Sequence, residues 1–111
     1  MDIQSRKTKA AFVVTPEGRL DTGNAPQAEK LLVEIISAGE KRVVVDFSRT
    51  DYISSAGLRV LLQVAKLVRR DGRVVLCNAN EQIHEVLEIS GFLDMIPYCK
   101  SLKEAILSVS E

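Results

Sequence analysis

Residues 43–70, VVVDFSRTDYISSAGLRVLLQVAKLVRR, decide how the rest of this chain is read. Val43, Val44 and Val45 form a β-branched run ending at Asp46, the pattern of a strand covered on both faces. A short polar turn follows, carrying the adjacent Ser54 and Ser55. From the serines onward, Leu58, Leu61, Leu62, Ala65 and Val68 recur at spacings of three and four, predicting one buried stripe on an amphipathic helix. Asp71-Gly72 is expected to end it. A hydroxyl is thereby set at a helix N-terminus, where unpaired backbone N–H groups and the helix dipole favour negative charge. One serine serves as N-cap, and the same place accommodates a phosphate.

Working outward, Ala11 to Thr15 (AFVVT) reads as a strand, paired with residues 3–8, and Pro16-Glu17-Gly18 supplies turn chemistry. Ala28, Leu31, Leu32, Ile35 and Ile36 give helical periodicity over residues 25–38, stopped by Gly39. Downstream of the central stretch, Val74 to Cys77 forms a further buried strand. Residues 81–90 form a helix with Ile83, Val86 and Leu87 inward and Gly91 as its stop. Ile96 to Cys99 adds a short strand, and Ser101-Leu102-Lys103-Glu104 matches a capping box that opens a last helix. Strands alternating with helices imply a small α/β domain. Its expected sheet is mixed and mainly parallel, with four to five strands, packed by about four helices.

At 111 residues the chain is expected to be a single domain able to bury its own core. Fifteen basic and fifteen acidic residues cancel, which leaves no field steering the chain to nucleic acid or an anionic membrane. No apolar run approaches the roughly 18 residues of a membrane span, and the first residues lack a secretory h-region. A cytoplasmic monomer is the expectation. Cys77 follows three apolar residues and reads as a small buried hydrophobe; neither it nor Cys99 has metal-ligand spacing.

Candidate chemistry centres on Ser54 and Ser55. Phosphoserine here would bring nearly two negative charges to the helix start, tolerable to the domain but not to a partner lying flat against it. Ala56 and Gly57 are small and would offer an approaching active site little obstruction. Arg59, Gln63, Lys66 and Arg70 are spaced as one polar, mostly basic stripe, either solvated or part of a partner surface. His84, the single histidine, has no sequence relation to Ser55, and Ser-Ser-Ala-Gly is not a nucleophile elbow. Asp46 and Asp51 bracket the turn, but two carboxylates make a weak metal site. No glycine loop cradles a nucleotide. The expectation is no enzyme, no metal and no cofactor.

The segment DYISSAGLRVLL, with VVVDFS before it, resembles the signature of STAS-domain anti-sigma-factor antagonists. Gly18-Arg19-Leu20-Asp21, Val74 to Asn78 and EVLEISGFLDMI match that family in kind, so the resemblance covers nearly the whole chain. It implies a partner that is both an anti-sigma factor and a serine kinase of the GHKL ATPase fold. Phosphorylation of the antagonist would break that complex, and a PP2C-type phosphatase would restore it. The resemblance makes Ser55 the phosphoacceptor, Ser54 a minor candidate, and Asp21 part of the recognition surface. Ser54, Ser55, Ala56, Gly57, Arg59, Gln63 and Lys66 complete that surface. Two positions depart from the family pattern: Ser54 replaces an aspartate and Arg19 a glutamate, each removing negative charge. The rival readings are a STAS subunit of a membrane transporter ATPase complex without phosphoregulation, and a small hydrolase using Ser55.

Overall fold

The valine runs become the centre of the molecule because their alternate side chains enter two separate cores. In the computed structural model, which describes residues 3–68 and 72–110, the chain runs through twelve elements. These are β1 (Ile3–Lys7), β2 (Phe12–Pro16), β3 (Gly18–Leu20), α1 (Ala25–Ser37), β4 (Arg42–Asp46) and β5 (Thr50–Ile53). They continue with α2 (Ser55–Val68), β6 (Arg73–Cys77), α3 (Glu81–Ile89), α4 (Phe92–Met95), β7 (Tyr98–Cys99) and α5 (Leu102–Ser110). A five-stranded sheet has the order β1-β2-β4-β6-β7. The β1–β2 pair is antiparallel and the remaining pairs are parallel, as the α/β pattern requires.

Along β4, Val43 and Val45 pack into the larger core with α1, α2, α3 and Phe92, while Val44 packs with Val13, Val75 and Cys77 beneath Ala105 and Val109 of α5. This two-sided burial is why the strand reads as a continuous apolar run. Helix α1 ends where Gly39 turns to φ +103, and α3 ends at Gly91, with φ +81.

Three expectations are corrected. First, residues 18–20 and 50–53 are not merely turns: β3 and β5 pair in parallel as a separate two-stranded sheet, with Leu20 opposite Ile53. Second, the fully buried residues of α2 are Gly57, Val60, Leu61, Val64 and Val68, whereas Leu58, Leu62 and Ala65 are half-buried. The helix is wedged between α1 and the sheet, so its apolar face is wider than one stripe and is centred about a quarter-turn away. Third, Val86 is not inward; it is 38% exposed, while Ile83 and Leu87 hold α3 to the core. The one-turn helix α4 is also additional. Arg70 and Asp71, named above for the basic stripe and the helix stop, lie outside the described residues.

Candidate functional site

Ribbon β3–β5 builds the site. The hydroxyl of Thr50, itself buried, donates to the Pro16 carbonyl at 2.6 Å, and Gly18 N–H donates to the Arg49 carbonyl at 2.9 Å. These bonds fasten the ribbon to the end of β2. At its far end Ser54 N–H donates to the Leu20 carbonyl at 2.9 Å. The chain therefore carries Asp21, immediately after Leu20, and Ser55, immediately after Ser54, to the same end of the ribbon.

The two serines divide their labour. Ser54 is the N-cap: its Oγ accepts the Gly57 N–H at 3.3 Å, and its carbonyl accepts Leu58 N–H at 2.9 Å. Ser55 is the first helical residue, exposed, and its hydroxyl has no hydrogen-bond partner among the described residues. No acidic side chain occupies the first turn of α2, so within the helix nothing offsets the positive end of its dipole beside that hydroxyl.

Ala56 is half-buried, and Gly57 is buried. The expected role of Gly57 as open space for a visitor is corrected. A Cβ there would lie 2.8 Å from Ile53 Cγ1, 2.9 Å from Leu20 Cγ and 3.0 Å from the Leu20 carbonyl oxygen. The glycine makes room for the ribbon, and through it holds the Asp21 loop against the start of α2. Arg59, Gln63 and Lys66 are all exposed on the outer face of α2.

The loop after β3 is braced from within. Asn24 Oδ1 accepts Asp21 N–H at 2.9 Å and Asn24 Nδ2 donates to the Arg19 carbonyl at 2.6 Å. Asp21 Oδ1 accepts Gly23 N–H at 3.0 Å, and Asp21 Oδ2 lies 3.6 Å from Arg19 Nε. The Arg19 guanidinium stacks 4.2 Å above the Tyr52 ring, a cation–π contact in register with the β3–β5 pairing. Arg19 thus forms part of an ordered Tyr52–Arg19–Asp21 cluster on the rim of the site. Asn24 lies outside the quoted motifs, and the motifs holding Leu20 and Tyr52 give those two residues no role.

The other chemically suggestive residues lie elsewhere. Asp46 is buried, and its carboxylate accepts Ser48 N–H at 3.0 Å, Ser48 Oγ–H at 3.1 Å and Asn78 Nδ2–H at 3.0 Å. It braces the turn after β4 and ties it to the start of the loop after β6, where Asn78 has a left-handed φ of +60. Asp51 is exposed on β5, so the two carboxylates do not form a shared site. Cys77 is fully buried; burial, reinforced by the Asp46 carboxylate, pushes its thiol up to about 12. His84 stacks edge-on against Tyr98 with ring centroids 4.9 Å apart, a packing role within α3.

The strand–serine–helix core, the ribbon and the mixed sheet define one kind of domain. Residues 2–105 match the model of the STAS domain, and the chain belongs to that family. Among its relatives is BtrV of Bordetella bronchiseptica, described as a candidate anti-sigma factor antagonist. It is 42% identical over 106 residues, a match spanning 95% of this chain and 91% of that protein. The fold matches the crystal structure of an anti-sigma factor antagonist from Mycobacterium paratuberculosis with a TM-score of 0.93. That likeness comes at 17% identity and covers 99% of this chain and 94% of the other. It also matches the Bacillus cell fate determinant SpoIIAA in its phosphorylated form, with a TM-score of 0.75 at 22% identity and 97% and 99% coverage.

Proposed function

We propose that this chain is an anti-sigma-factor antagonist in a partner-switching circuit, acting as a single cytoplasmic domain. Unphosphorylated, it binds an anti-sigma serine kinase of the GHKL ATPase fold through Ser55, the Asp21 loop and the outer face of α2, freeing the sigma factor. The kinase transfers the γ-phosphoryl group of ATP to Ser55 Oγ, leaving ADP and the hydroxyl proton, and the modified chain dissociates. A PP2C-type phosphatase hydrolyses the phosphoester and resets the circuit. The chain is the substrate of this chemistry, not its agent.

One observation carries the proposal. Ser54 caps α2, and Ser55 beside it is exposed with an unbonded hydroxyl. A serine needed only for capping does not require a second, free one. The same division favours Ser55 over Ser54 as acceptor, since Ser54 Oγ is half-buried and already holds the Gly57 amide. The names of the relatives support the same circuit.

The energetics are adequate. Moving a complex from 99:1 bound to 1:99 takes about 5.5 kcal/mol of differential affinity. A phosphoserine carrying nearly two charges, desolvated and unpaired in an interface, costs several kcal/mol. The test is a pull-down from native lysate comparing Ser55→Ala with Ser55→Asp, with retained proteins identified by mass spectrometry. A kinase-fold protein held by the alanine form and lost from the aspartate form is the expected result. A partner retained equally by both forms defeats the phosphoswitch and leaves Ser55 as an exposed first-turn residue beside the Ser54 cap.

A further inference from the structure

Helix α3 presents two stripes side by side. Gln82, Val86 and Ile89 follow one another at spacings of four and three, as do Glu81, Glu85 and Glu88. The two sets therefore occupy adjacent faces of the helix. Ile83 and Leu87 are buried and hold the helix to the core. Ile89, at 77%, is the most exposed large apolar side chain of the described residues, and Val86 beside it is 38% exposed. Between this helix and β5 lies a groove of 260 Å³ lined by Tyr52, Ile53, Gln82, Ile83 and Val86.

The groove is held open by its own framework. Asn80 Oδ1 accepts Ile83 N–H at 2.8 Å as the N-cap of α3, while Asn80 Nδ2 donates to the Asp51 carbonyl at 3.2 Å. One side chain thereby fixes the helix start to the strand that forms the opposite wall.

Charge identifies the occupant. Glu81, Glu85, Glu88 and Asp51 are exposed and form no ion pair among the described residues. Helix α3 contains no lysine or arginine and no basic residue in its last turn. Glu81 and Glu85 repel at i,i+4, and Glu88 stands against the negative end of the helix dipole. The whole chain is neutral, with fifteen charges of each sign, so this is a local excess that the fold leaves uncompensated. An exposed apolar stripe flanked by unpaired carboxylates matches an amphipathic helix that carries cations beside its own apolar stripe.

We propose that α3, along the edge of the β5–α3 groove, docks a basic amphipathic helix of a partner protein, with Val86 and Ile89 seating its apolar side chains and Glu85 and Glu88 pairing with its lysines or arginines. The groove adjoins the Tyr52–Arg19–Asp21 rim of the Ser55 site but does not involve the Ser55 hydroxyl. The probe is a synthetic helix-forming peptide of leucine and lysine in 3.6-residue periodicity, titrated into the ¹⁵N-labelled full chain at physiological salt. Its counterpart replaces every lysine with glutamate.

Saturable amide shifts confined to residues 51–53 and 80–90 are expected with the lysine peptide and not with the glutamate peptide. Val86→Ser and the pair Glu85→Lys, Glu88→Lys change exposed residues that the fold does not need, and each should weaken binding about tenfold or more. Ser55→Ala should bind like the unaltered chain, so failure of the phosphoswitch and failure of this surface are separable. Equal binding of both peptides, shifts spread over α2 or α5, or indifference to the α3 variants overturns the proposal. So does sedimentation showing a dimer abolished by Val86→Ser, because a second copy would then be the occupant.

Discussion

Replacing Gly57 by alanine sets two elementary effects against each other. In a helix considered alone the substitution is favourable by about 1 kcal/mol, because alanine loses less backbone freedom. In this chain the new methyl group would stand 2.8 Å from Ile53 Cγ1 and 2.9 Å from Leu20 Cγ. Both side chains are almost fully buried, at 3% and 2% exposure, and have little room to withdraw. The third neighbour, the Leu20 carbonyl oxygen at 3.0 Å, is held by the Ser54 amide. Overpacking of this kind costs about 1–3 kcal/mol, and a locked backbone oxygen puts the site at the upper end. Net destabilisation of about 2 kcal/mol follows. Urea unfolding should show a midpoint lowered by about 1–2 M with an unchanged slope. Amide exchange at Ser54 should accelerate as the ribbon is pushed from α2. A variant as stable as the parent, or more so, refutes the argument. Helix propensity would then outweigh the contacts, and Gly57 would be explained by access to Ser55 instead of by the ribbon.

Other outcomes follow from the same geometry. Ser54→Ala should cost about 1 kcal/mol in chemical denaturation through loss of the cap, while Ser55→Ala stays within about 0.5 kcal/mol of the parent. Asn80→Ala should cost about 1–2 kcal/mol, and Asn80→Asp, which keeps the cap but loses the donor to Asp51, should fall between. Cys99, partly exposed, should react with a thiol reagent in the native chain, whereas Cys77 reacts only on unfolding. Because the folded state raises Cys77 from its ordinary 9.0 to about 12, the native state keeps a proton that the unfolded chain releases. Stability should therefore be undiminished by this group below pH 9.0 and decline as pH rises through that window, less so in Cys77→Ala after allowing for its own packing loss.

Much of the architecture was legible because long-period signals are physical. The valine runs at 43–45 and 74–76 announce strands buried on both faces, and the serine–helix junction announces its own cap. The pattern stopped short where the determining contacts were non-local. Gly18–Leu20 and Thr50–Ile53 are too short and polar to declare themselves; each becomes a strand because the other lies beside it. Gly57 reads as a small surface residue until Leu20, far away in sequence, fills the space above it. The α2 stripe was misplaced for a related reason: helical spacing marks an apolar face but not which part of it α1 and the sheet together cover. Val86 fits the apolar period of α3, yet period alone does not distinguish the core from a second apolar surface. At the site, spacing pointed to both serines, and only the direction of the Gly57 amide separated cap from free hydroxyl.

The ribbon also gives the site a place in time. Its two strands, Gly18–Leu20 and Thr50–Ile53, are separated by α1 and β4, and loop closure over such a span is an entropic debit met only once intervening structure has condensed. A nascent chain released only as far as β4 can form helical turns, but it cannot bring Asp21 beside Ser55. Any surface that needs both is therefore assembled only after α1 and β4 have brought the two strands together, so its appearance dates the closing of the ribbon.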